Sequence, residues 1–335
     1  MAYTIAFFGT KPYDESSFTD KNKEFGFEIR YYKGHLNKNN VLLTQGVDAV
    51  CIFVNDIADA EVLRIMASNG VKLLALRCAG FNNVDLNAAA AAGITVVRVP
   101  AYSPYAVAEY TVALMLSLNR KIPRASWRTK DGNFSLHGLM GFDMHGKTAG
   151  IVGTGQIAKV LIRILKGFGL NILAYDLYPD REFAANEGVE YVPLEQLFRQ
   201  SDIISLHCPL TEQTRYMINE KAIDQMKEGM MLINTGRGQL IHTEALIEGL
   251  KKKKIGSAGL DVYEEEAAYF YEDTSDRIMG DDMLARLLSF NNVIVTSHQG
   301  FFTREALDNI AHTTLQNVRD FSDGRRLTNE VRPGA

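Results

Sequence analysis

The sequence has too little cysteine for a disulfide framework or a zinc cluster. Its three cysteines, Cys51, Cys78 and Cys208, are far apart and lie in or beside apolar runs. Disulfide-stapled domains and zinc sites need several cysteines at short, repeated spacings. We therefore interpret these three residues as reduced structural cysteines, and we predict no metal site.

Long apolar runs and excess positive charge are also missing. No segment offers the roughly 18 uninterrupted apolar residues that a membrane span requires, and the first residues, MAYTIAFFGTKPYDESS, lack the basic start of a signal peptide. The net charge is −4, and the one basic run, Lys251–Lys254, suits the end of a helix. We expect a cytoplasmic protein without a membrane or nucleic-acid partner.

The composition is that of a globular protein with more than one domain. Hydrophobic residues make up 46% of the 335 residues and charged residues 23%. Short apolar, β-branched runs alternate with longer helical patterns along the whole chain, which is typical of parallel sheets with crossover helices. We see no repeat of fixed period and no low-complexity linker.

The predicted strands form two series separated by a long apolar helix. The first series has five strands within residues 3–99, and the second has seven within residues 148–298. The helix, at residues 106–122, is more apolar than one core face needs, so we expect it to pack between domains or subunits of a homo-oligomer. The last helical stretch, 303–321, has no sheet left to join in the second series, which predicts a return to the first domain.

A glycine motif opens the second series. Gly153, Gly155 and Ala158 follow a predicted strand and begin a predicted helix, and the next strand ends in Asp176. This arrangement is typical of a dinucleotide site, in which the first glycine permits the tight turn, the second admits the pyrophosphate, and the helix N-terminus binds the phosphates. The Asp176 carboxylate would accept hydrogen bonds from the ribose hydroxyls and repel a 2′-phosphate, so we predict NAD as the cofactor. Arg181 lies close enough in sequence to weaken the preference for NAD over NADP.

Three more strands of the second series end in polar residues. Arg237 lies in NTGRG, Glu264–Glu266 lie in DVYEEE, and His298 lies in TSHQG. The carboxyl ends of parallel strands face the ligand crevice, so we expect an arginine, an acid and a histidine to converge there. A run of acidic residues is usually solvated, and the pattern alone does not choose among the three glutamates.

Taken together, the motifs RCAGFNNVD, VPAYSP, GTGQIA, NTGRG, DVYEEE and TSHQGF resemble the D-isomer-specific 2-hydroxyacid dehydrogenases over nearly the whole chain. Within that family the likeness is greatest to the bacterial fermentative D-lactate dehydrogenases. The resemblance implies an α/β protein with two doubly wound parallel-sheet domains and the cleft between them. A flavodoxin-like substrate domain would comprise 1–101 and 300–335, and a Rossmann NAD-binding domain would comprise 102–299.

The resemblance also implies a division of labour for pyruvate reduction by NADH. Arg237 matches the arginine that grips the substrate carboxylate, and His298 matches the acid that protonates the carbonyl oxygen. The glutamate that hydrogen-bonds this histidine lies five positions after the aspartate of the D-V-Y motif, which from Asp261 gives Glu266. Glu264 and Glu265 are then expected to be solvated surface.

Further positions carry over by the same resemblance. The backbone at Ala79 and Gly80 is expected to hold the substrate carboxylate, and Tyr102 and Phe301 to limit the pocket to a methyl-sized side chain. His207 matches the wall beside the nicotinamide, and we expect no proton transfer there. The expected cofactor contacts comprise Gly153, Gly155, Gln156, Ile157, Asp176, Cys208, Pro209, Thr235, Gly236 and Asp261.

Two alternatives to a D-lactate dehydrogenase remain open. A related enzyme of the family would act on a larger 2-ketoacid. A protein of another class, an NAD-sensing binding protein similar to transcriptional corepressors, would share the fold and retain these residues without turnover.

Overall fold

A computed structural model describes residues 3–266 and 269–334. The chain divides into two compact units, one with the residues up to Ser103 and from Phe302 onward, the other with Pro104–Phe301. The predicted boundaries, after 101 and 299, each fall two residues before these. Both units are α/β, as predicted.

The first unit is built on a sheet in the order β13-β5-β4-β3-β1-β2. Strands β1 to β5 are parallel and β13 is antiparallel to β5. Every residue of β1, β3 and β4 is buried, because helices cover both faces, which explains the continuous apolar runs. The strands are β1 Thr4–Phe7, β2 Glu28–Tyr31, β3 Ala49–Ile52, β4 Leu73–Leu76, β5 Thr95–Val97 and β13 Glu330–Val331.

The helices of this unit include the last long helix of the chain. They are α1 Pro12–Asn22, α2 Ala60–Ser68, α3 Leu86–Ala91 and α12 Arg304–Ser322, with a 3-10 turn at Val41–Thr44. Helix α12 begins where the Thr303 side chain accepts a hydrogen bond from the Ala306 N–H. It packs on α1 and β4, so the last helix does join the first unit.

The second unit is built on a parallel sheet in the order β12-β11-β10-β9-β6-β7-β8. Each predicted strand of the second series is present. The strands are β6 Thr148–Val152, β7 Asn171–Tyr175, β8 Glu190–Tyr191, β9 Ile203–Leu206, β10 Met230–Asn234, β11 Ile255–Leu260 and β12 Val293–Val295. The helices are α4 Pro104–Arg120, α5 Ile122–Lys130, α6 Gln156–Gly167, α7 Arg181–Glu187, α8 Leu194–Gln200, α9 Glu220–Gln225, α10 Thr243–Lys251 and α11 Asp282–Leu288, with a 3-10 turn at Gly238–Leu240.

The apolar side chains of helix α4 pack mainly inside its own unit. It packs on α6, β10, β11 and β12, and side chains such as Met115 and Leu118 are buried there. The high apolar content of this helix therefore needs no second subunit. The segment after it differs, because α5 buries none of its residues. Within the part of the chain that the structure describes, no helix is long and apolar enough to cross a membrane.

Candidate functional site

The candidate cofactor site lies where the strand order of the second sheet reverses, between β6 and β9. Gly153 follows β6 and adopts a φ of 88°, which favours glycine. A Cβ atom at Gly153 would lie 2.5 Å from the backbone nitrogen of Cys208, which follows β9. Ligands of open α/β sheets bind at such a reversal, and only glycine fits the turn there.

The next glycine leaves room for a phosphate. Gly155 is the N-cap of α6, so no side chain caps the first N–H groups of that helix. A Cβ atom at Gly155 would meet no heavy atom within 4 Å, so this side of the loop is open. Ala158 is fully buried, which lets the helix lie close to the sheet. The loop thus fits a pyrophosphate held by the N–H groups of Gln156 and Ile157.

Asp176 is held ionised beside this loop. Its Oδ2 accepts hydrogen bonds from the Thr154 N–H at 2.6 Å and the Thr154 hydroxyl at 2.9 Å, and its Oδ1 accepts one from the Tyr178 N–H at 2.9 Å. Partial burial acts to raise the pKa of Asp176, but hydrogen bonds from the Tyr178 and Thr154 N–H groups hold it below its ordinary value. A carboxylate at the end of β7 suits the ribose of NAD and opposes the 2′-phosphate of NADP.

The other expected cofactor residues follow β9 and β10. The Cys208 thiol lies 3.6 Å from the sulfur of Met217, and burial raises its pKa to about 11, so it stays protonated. The hydroxyl of Thr235 lies 3.0 Å from that of Thr111 in α4 and is buried. The Gly236 N–H donates to the side-chain oxygen of Asn234 at 3.0 Å, which fixes the turn that leads to Arg237.

His207 is neutral at ordinary pH. Burial lowers its pKa to about 4, and its Nε2 lies 2.8 Å from the Ser205 hydroxyl. The carbonyl of Pro209 accepts a hydrogen bond from the Thr214 hydroxyl at 2.7 Å, which closes the turn after β9. A histidine of this kind suits a wall of the site rather than proton exchange at neutral pH.

The histidine after β12 is paired with a glutamate. His298 Nδ1 lies 2.8 Å from Glu266 Oε1, and the other oxygen of Glu266 accepts from the Tyr263 N–H at 3.1 Å. His298 adopts a φ of 53°, an uncommon conformation for a residue other than glycine. Two hydrogen bonds hold it there: its N–H donates to the Asp261 carbonyl at 2.7 Å, and its carbonyl accepts from the Tyr271 hydroxyl at 3.1 Å.

The Asp261 side chain organises the turn that carries His298. It is buried, and its carboxylate accepts from the Thr296 hydroxyl at 2.7 Å, the Gln299 N–H at 2.9 Å and the Gly300 N–H at 2.7 Å. Burial raises the pKa of Asp261, and these hydrogen bonds oppose the rise. Its contact with the nicotinamide stays a prediction, but its bonds within the chain give it a second role that the sequence did not suggest.

Arg237 follows β10 with its charge available. One of its nitrogens, Nη1, donates to the Gly236 carbonyl at 2.8 Å, and within residues 3–266 and 269–334 no carboxylate pairs with it. A Cβ atom at Gly238 would lie 2.0 Å from the Tyr263 carbonyl oxygen, so the arginine segment packs directly against the segment that leads to Glu266. The guanidinium is thus positioned at the same edge of the sheet and is free to bind an anion.

The three consecutive glutamates have three different environments. Glu266 pairs with His298, and Glu265 is exposed. Glu264 is not the solvated residue that we expected: its carboxylate accepts from the Tyr216 hydroxyl, and from the N–H and hydroxyl of Thr243 at 3.2 and 2.8 Å. It therefore caps the first turn of α10, a role that no spacing in the sequence indicates.

The predicted substrate residues belong to both units. Ala79 and Gly80 follow β4 and are half-buried in the first unit. The carbonyl of Tyr102, also in the first unit, accepts from the Asn309 amide at 2.7 Å. Phe301 is buried in the second unit. Sequence reasoning missed Tyr271 and Thr296, whose contacts depend on turns that leave no periodic pattern.

Comparisons with known proteins identify the family of the chain. Residues 112–300 match the model of the D-isomer specific 2-hydroxyacid dehydrogenase NAD binding domain. The D-lactate dehydrogenase of Escherichia coli is 51% identical over 327 residues, which cover 98% of this chain and 99% of the relative. The chain therefore belongs to the D-isomer specific 2-hydroxyacid dehydrogenase family, and NAD is its cofactor.

Solved structures agree in fold over the full length. The apo structure of the Escherichia coli D-lactate dehydrogenase has a TM-score of 0.90 at 50% identity and covers 98% of this chain and 99% of its own. The pyruvate reductase of Chlamydomonas reinhardtii has a TM-score of 0.93 at 43% identity and covers 98% of both chains. A Lactobacillus jensenii D-lactate dehydrogenase with NAD⁺ has a TM-score of 0.83 at 32% identity, covering 98% and 99%. The two predicted sheets are those of this family.

Proposed function

We propose that this protein is an NAD-dependent D-lactate dehydrogenase that reduces pyruvate to D-lactate and also runs the reaction in reverse. The observation that carries the proposal is the pairing of His298 with Glu266 at 2.8 Å, at the same edge of the sheet as an arginine whose guanidinium has no carboxylate partner among the described residues. A keto acid needs these two functions, a proton donor for its carbonyl oxygen and a cation for its carboxylate. The similarity to the D-lactate dehydrogenase of Escherichia coli and the pyruvate reductase of Chlamydomonas reinhardtii favours pyruvate.

The residues of the chain divide the reaction as follows. Bound NADH supplies the hydride that C2 of pyruvate receives. The Arg237 guanidinium binds the carboxylate in a bidentate geometry that lysine cannot copy. His298 Nδ1 is turned to Glu266, so Nε2 is the nitrogen that gives its proton to the carbonyl oxygen. In lactate oxidation the neutral imidazole takes that proton back, and Glu266 stabilises the imidazolium in both directions.

The substrate pocket is the second part of the proposal. We propose that the Ala79 and Gly80 N–H groups bind the substrate carboxylate. Tyr102 and Phe301 would limit the substituent on C2 of the substrate to a methyl group. The alternative, an enzyme of this family for a larger 2-ketoacid, needs more room at those two aromatic residues.

One experiment separates these possibilities. The purified protein is assayed with NADH and pyruvate, 2-ketoisocaproate or phenylpyruvate, and the product of pyruvate reduction is resolved on a chiral column. We expect the highest kcat/KM for pyruvate and D-lactate as the product. A higher kcat/KM for either larger substrate selects the alternative enzyme, and L-lactate would contradict the family assignment of the stereochemistry. Absence of turnover with all three, together with a specific protein partner, selects the NAD-sensing binding protein.

We propose that the chain forms a homo-oligomer, a dimer or tetramer, through the segment 122–143. Four large apolar side chains of this segment are mostly exposed: Trp127 at 69%, Phe134 at 75%, Leu136 at 83% and Met140 at 88%. Such a surface is covered by protein in a stable enzyme. Light scattering of the wild type and of Trp127→Glu tests this: we expect an oligomer that dissociates in the variant, and a monomeric wild type would contradict it.

A cytoplasmic location is also part of the proposal. Cys51, Cys78 and Cys208 are all unbridged, as expected of a protein kept in a reducing compartment. Cell fractionation followed by detection of the protein tests this location, and recovery in the membrane or secreted fraction would contradict it.

A further inference from the structure

The peptide unit that joins Ala79 to Gly80 is bound on its carbonyl side and open on its amide side. The Ala79 carbonyl accepts a hydrogen bond from Arg98 Nη1 at 2.9 Å. No described peptide bond is cis, so the Gly80 N–H points away from that carbonyl and from the arginine. Among the described residues, neither the Ala79 N–H nor the Gly80 N–H donates to a protein acceptor. Two free donors therefore remain at the end of β4.

Arg98 is fixed in place from several sides. Its guanidinium lies over the ring of Phe81, 5.0 Å from the centroid. Its backbone N–H donates to the Asn329 carbonyl at 3.0 Å, and its carbonyl accepts from the Asn317 side chain at 2.9 Å. Asn329 in turn donates to Asn317 at 2.9 Å. The backbone of Arg98 is thus held by α12 and by the segment before β13, and its guanidinium lies between the Phe81 ring and the Ala79 carbonyl.

We propose that Arg98 is a positioning residue for substrate binding, acting through the peptide unit between Ala79 and Gly80. The guanidinium fixes the plane of this peptide and draws electron density toward its carbonyl oxygen. The opposite N–H then becomes a stronger donor, because hydrogen bonds in a chain polarise one another and a charged partner strengthens the bond. A carboxylate bound at the Gly80 N–H would lie at the other end of the same dipole. This inference rests on the proposed function, which places the substrate carboxylate at these N–H groups.

A positioning role and a purely structural role of Arg98 predict changes in different quantities. The carboxylate is present in both the substrate and the transition state, so a weaker Gly80 donor raises KM and leaves kcat nearly unchanged. The cofactor site lies in the second unit, so the affinity for NADH does not change. A loop that is merely loosened would lower thermal stability and kcat together.

Four variants test this. Arg98→Gln and Arg98→Met remove the charge, Arg98→Lys keeps it, and Arg64→Gln removes a charge from an exposed position of α2 as the control. The measurements are KM and kcat for pyruvate, the inhibition constant of oxamate, which keeps the carboxylate of pyruvate, the Kd of NADH and the melting temperature.

We expect KM for pyruvate and the inhibition constant of oxamate to rise together by about tenfold in both neutral variants, equivalent to about 1.4 kcal/mol. Arg98→Lys is expected to restore most of the loss, and Arg64→Gln to behave as the wild type. Unchanged KM in the neutral variants, or a loss in Arg98→Lys equal to theirs, would overturn the proposal. A parallel fall of kcat and NADH affinity would also overturn it.

A failure of the proposed function would look different. If the wild type reduced a larger 2-ketoacid in preference to pyruvate, the same variants would be measured with that substrate, because every 2-ketoacid carries the carboxylate. The same increase in KM would then uphold the role of Arg98 while pyruvate specificity failed. A wild type without turnover but with oxamate binding is tested by titration, and an equal oxamate Kd in wild type and Arg98→Gln would overturn the role of Arg98.

Discussion

Two arginines follow parallel strands, one in each sheet, and their surroundings are opposite. Arg77 follows β4 and is only 2% exposed, with its Nε 3.5 Å from Asp14 Oδ1 and its Nη2 donating to the Gly9 carbonyl at 3.0 Å. Its guanidinium also lies over the rings of Phe7 and Phe53, at 4.5 and 4.9 Å. Its charge is therefore used within the core of the first unit.

Arg237 follows β10 and keeps its charge for a ligand. It is half-buried, bonds to a neighbouring carbonyl, and has no carboxylate partner in the described part of the chain. The carboxyl end of a strand thus does not by itself make an arginine functional. The difference is whether the fold has already provided an anion, and substitutions at the two positions should separate a loss of stability from a loss of catalysis.

Removing Arg77 should mainly destabilise the fold. Arg77→Met leaves Asp14 buried without its cation, and breaking a buried pair on one side costs about 3 to 5 kcal/mol. Burial already raises the pKa of Asp14 against the opposing effect of Arg77. We expect denaturant unfolding to show this loss, and the double variant Arg77→Met/Asp14→Leu to recover part of it. A stability equal to that of the wild type would mean that this pair is not structural.

Replacing Arg237 should mainly damage catalysis. Arg237→Lys keeps the charge but loses the planar fork, so we expect kcat/KM for pyruvate to fall about 100-fold. The Kd of NADH and the melting temperature should stay near those of the wild type. Arg199→Lys, at an exposed position of α8, is the matched control. An equal loss of NADH affinity would mean that Arg237 belongs to the cofactor site.

The sequence predicted some elements of the fold and missed others. The strands of both parallel series were predictable, because fully buried strands such as β3 read as continuous apolar runs. The short antiparallel strand β13 was not predictable, because two residues are too few to show an alternating apolar pattern. The packing of α4 on α6 and on the sheet of its own unit was not predicted either, whereas a contact of this helix with a second subunit stays a prediction.

The site was predictable where a strand end and a family motif coincide. The spacing from Asp261 indicated Glu266, and the structure brings Glu266 to His298 at 2.8 Å. The capping role of Glu264 and the bond from Tyr271 were not predictable. Both depend on turns whose hydrogen bonds join residues far apart in sequence.

The same comparison applies to two acids after strands, Asp176 and Asp261. Asp261 is buried and accepts three hydrogen bonds from the segment after β12, whereas Asp176 is only partly buried at the cofactor loop. We expect Asp176→Ala to narrow the preference for NADH over NADPH by about tenfold, because the ribose acceptor and its repulsion of a 2′-phosphate are both removed. Asp176→Asn, which keeps an acceptor beside Thr154, separates the effect of charge from that of loop support. Unchanged selectivity in both variants would contradict the assignment.

Glu266 tests whether a paired acid at a strand end tunes catalysis. Glu266→Gln keeps much of the shape and removes the charge that stabilises the His298 imidazolium. Reduction needs the protonated imidazole, so the alkaline fall of kcat/KM for pyruvate should move to lower pH when the neighbouring negative charge is removed. Lactate oxidation uses the neutral form and should suffer less at high pH. His207→Gln is the control, because burial lowers the pKa of His207 to about 4 and it carries no proton in that range.

Replacing Glu264 should give the smallest effect, and the effect should be on stability rather than on the pH profile. Its carboxylate holds Tyr216 and caps α10 at Thr243, so Glu264→Gln turns an amide N–H₂ toward one of these donors and loses a charge at the helix N-terminus. We expect the free energy of unfolding to fall by about 1 kcal/mol, while both pH profiles stay in place. Glu265→Gln, at the exposed neighbour, should change neither. If Glu264→Gln moved the profile of pyruvate reduction while Glu266→Gln did not, the carboxylate that supports the catalytic histidine would be Glu264, and the pairing of Glu266 with His298 would be structural.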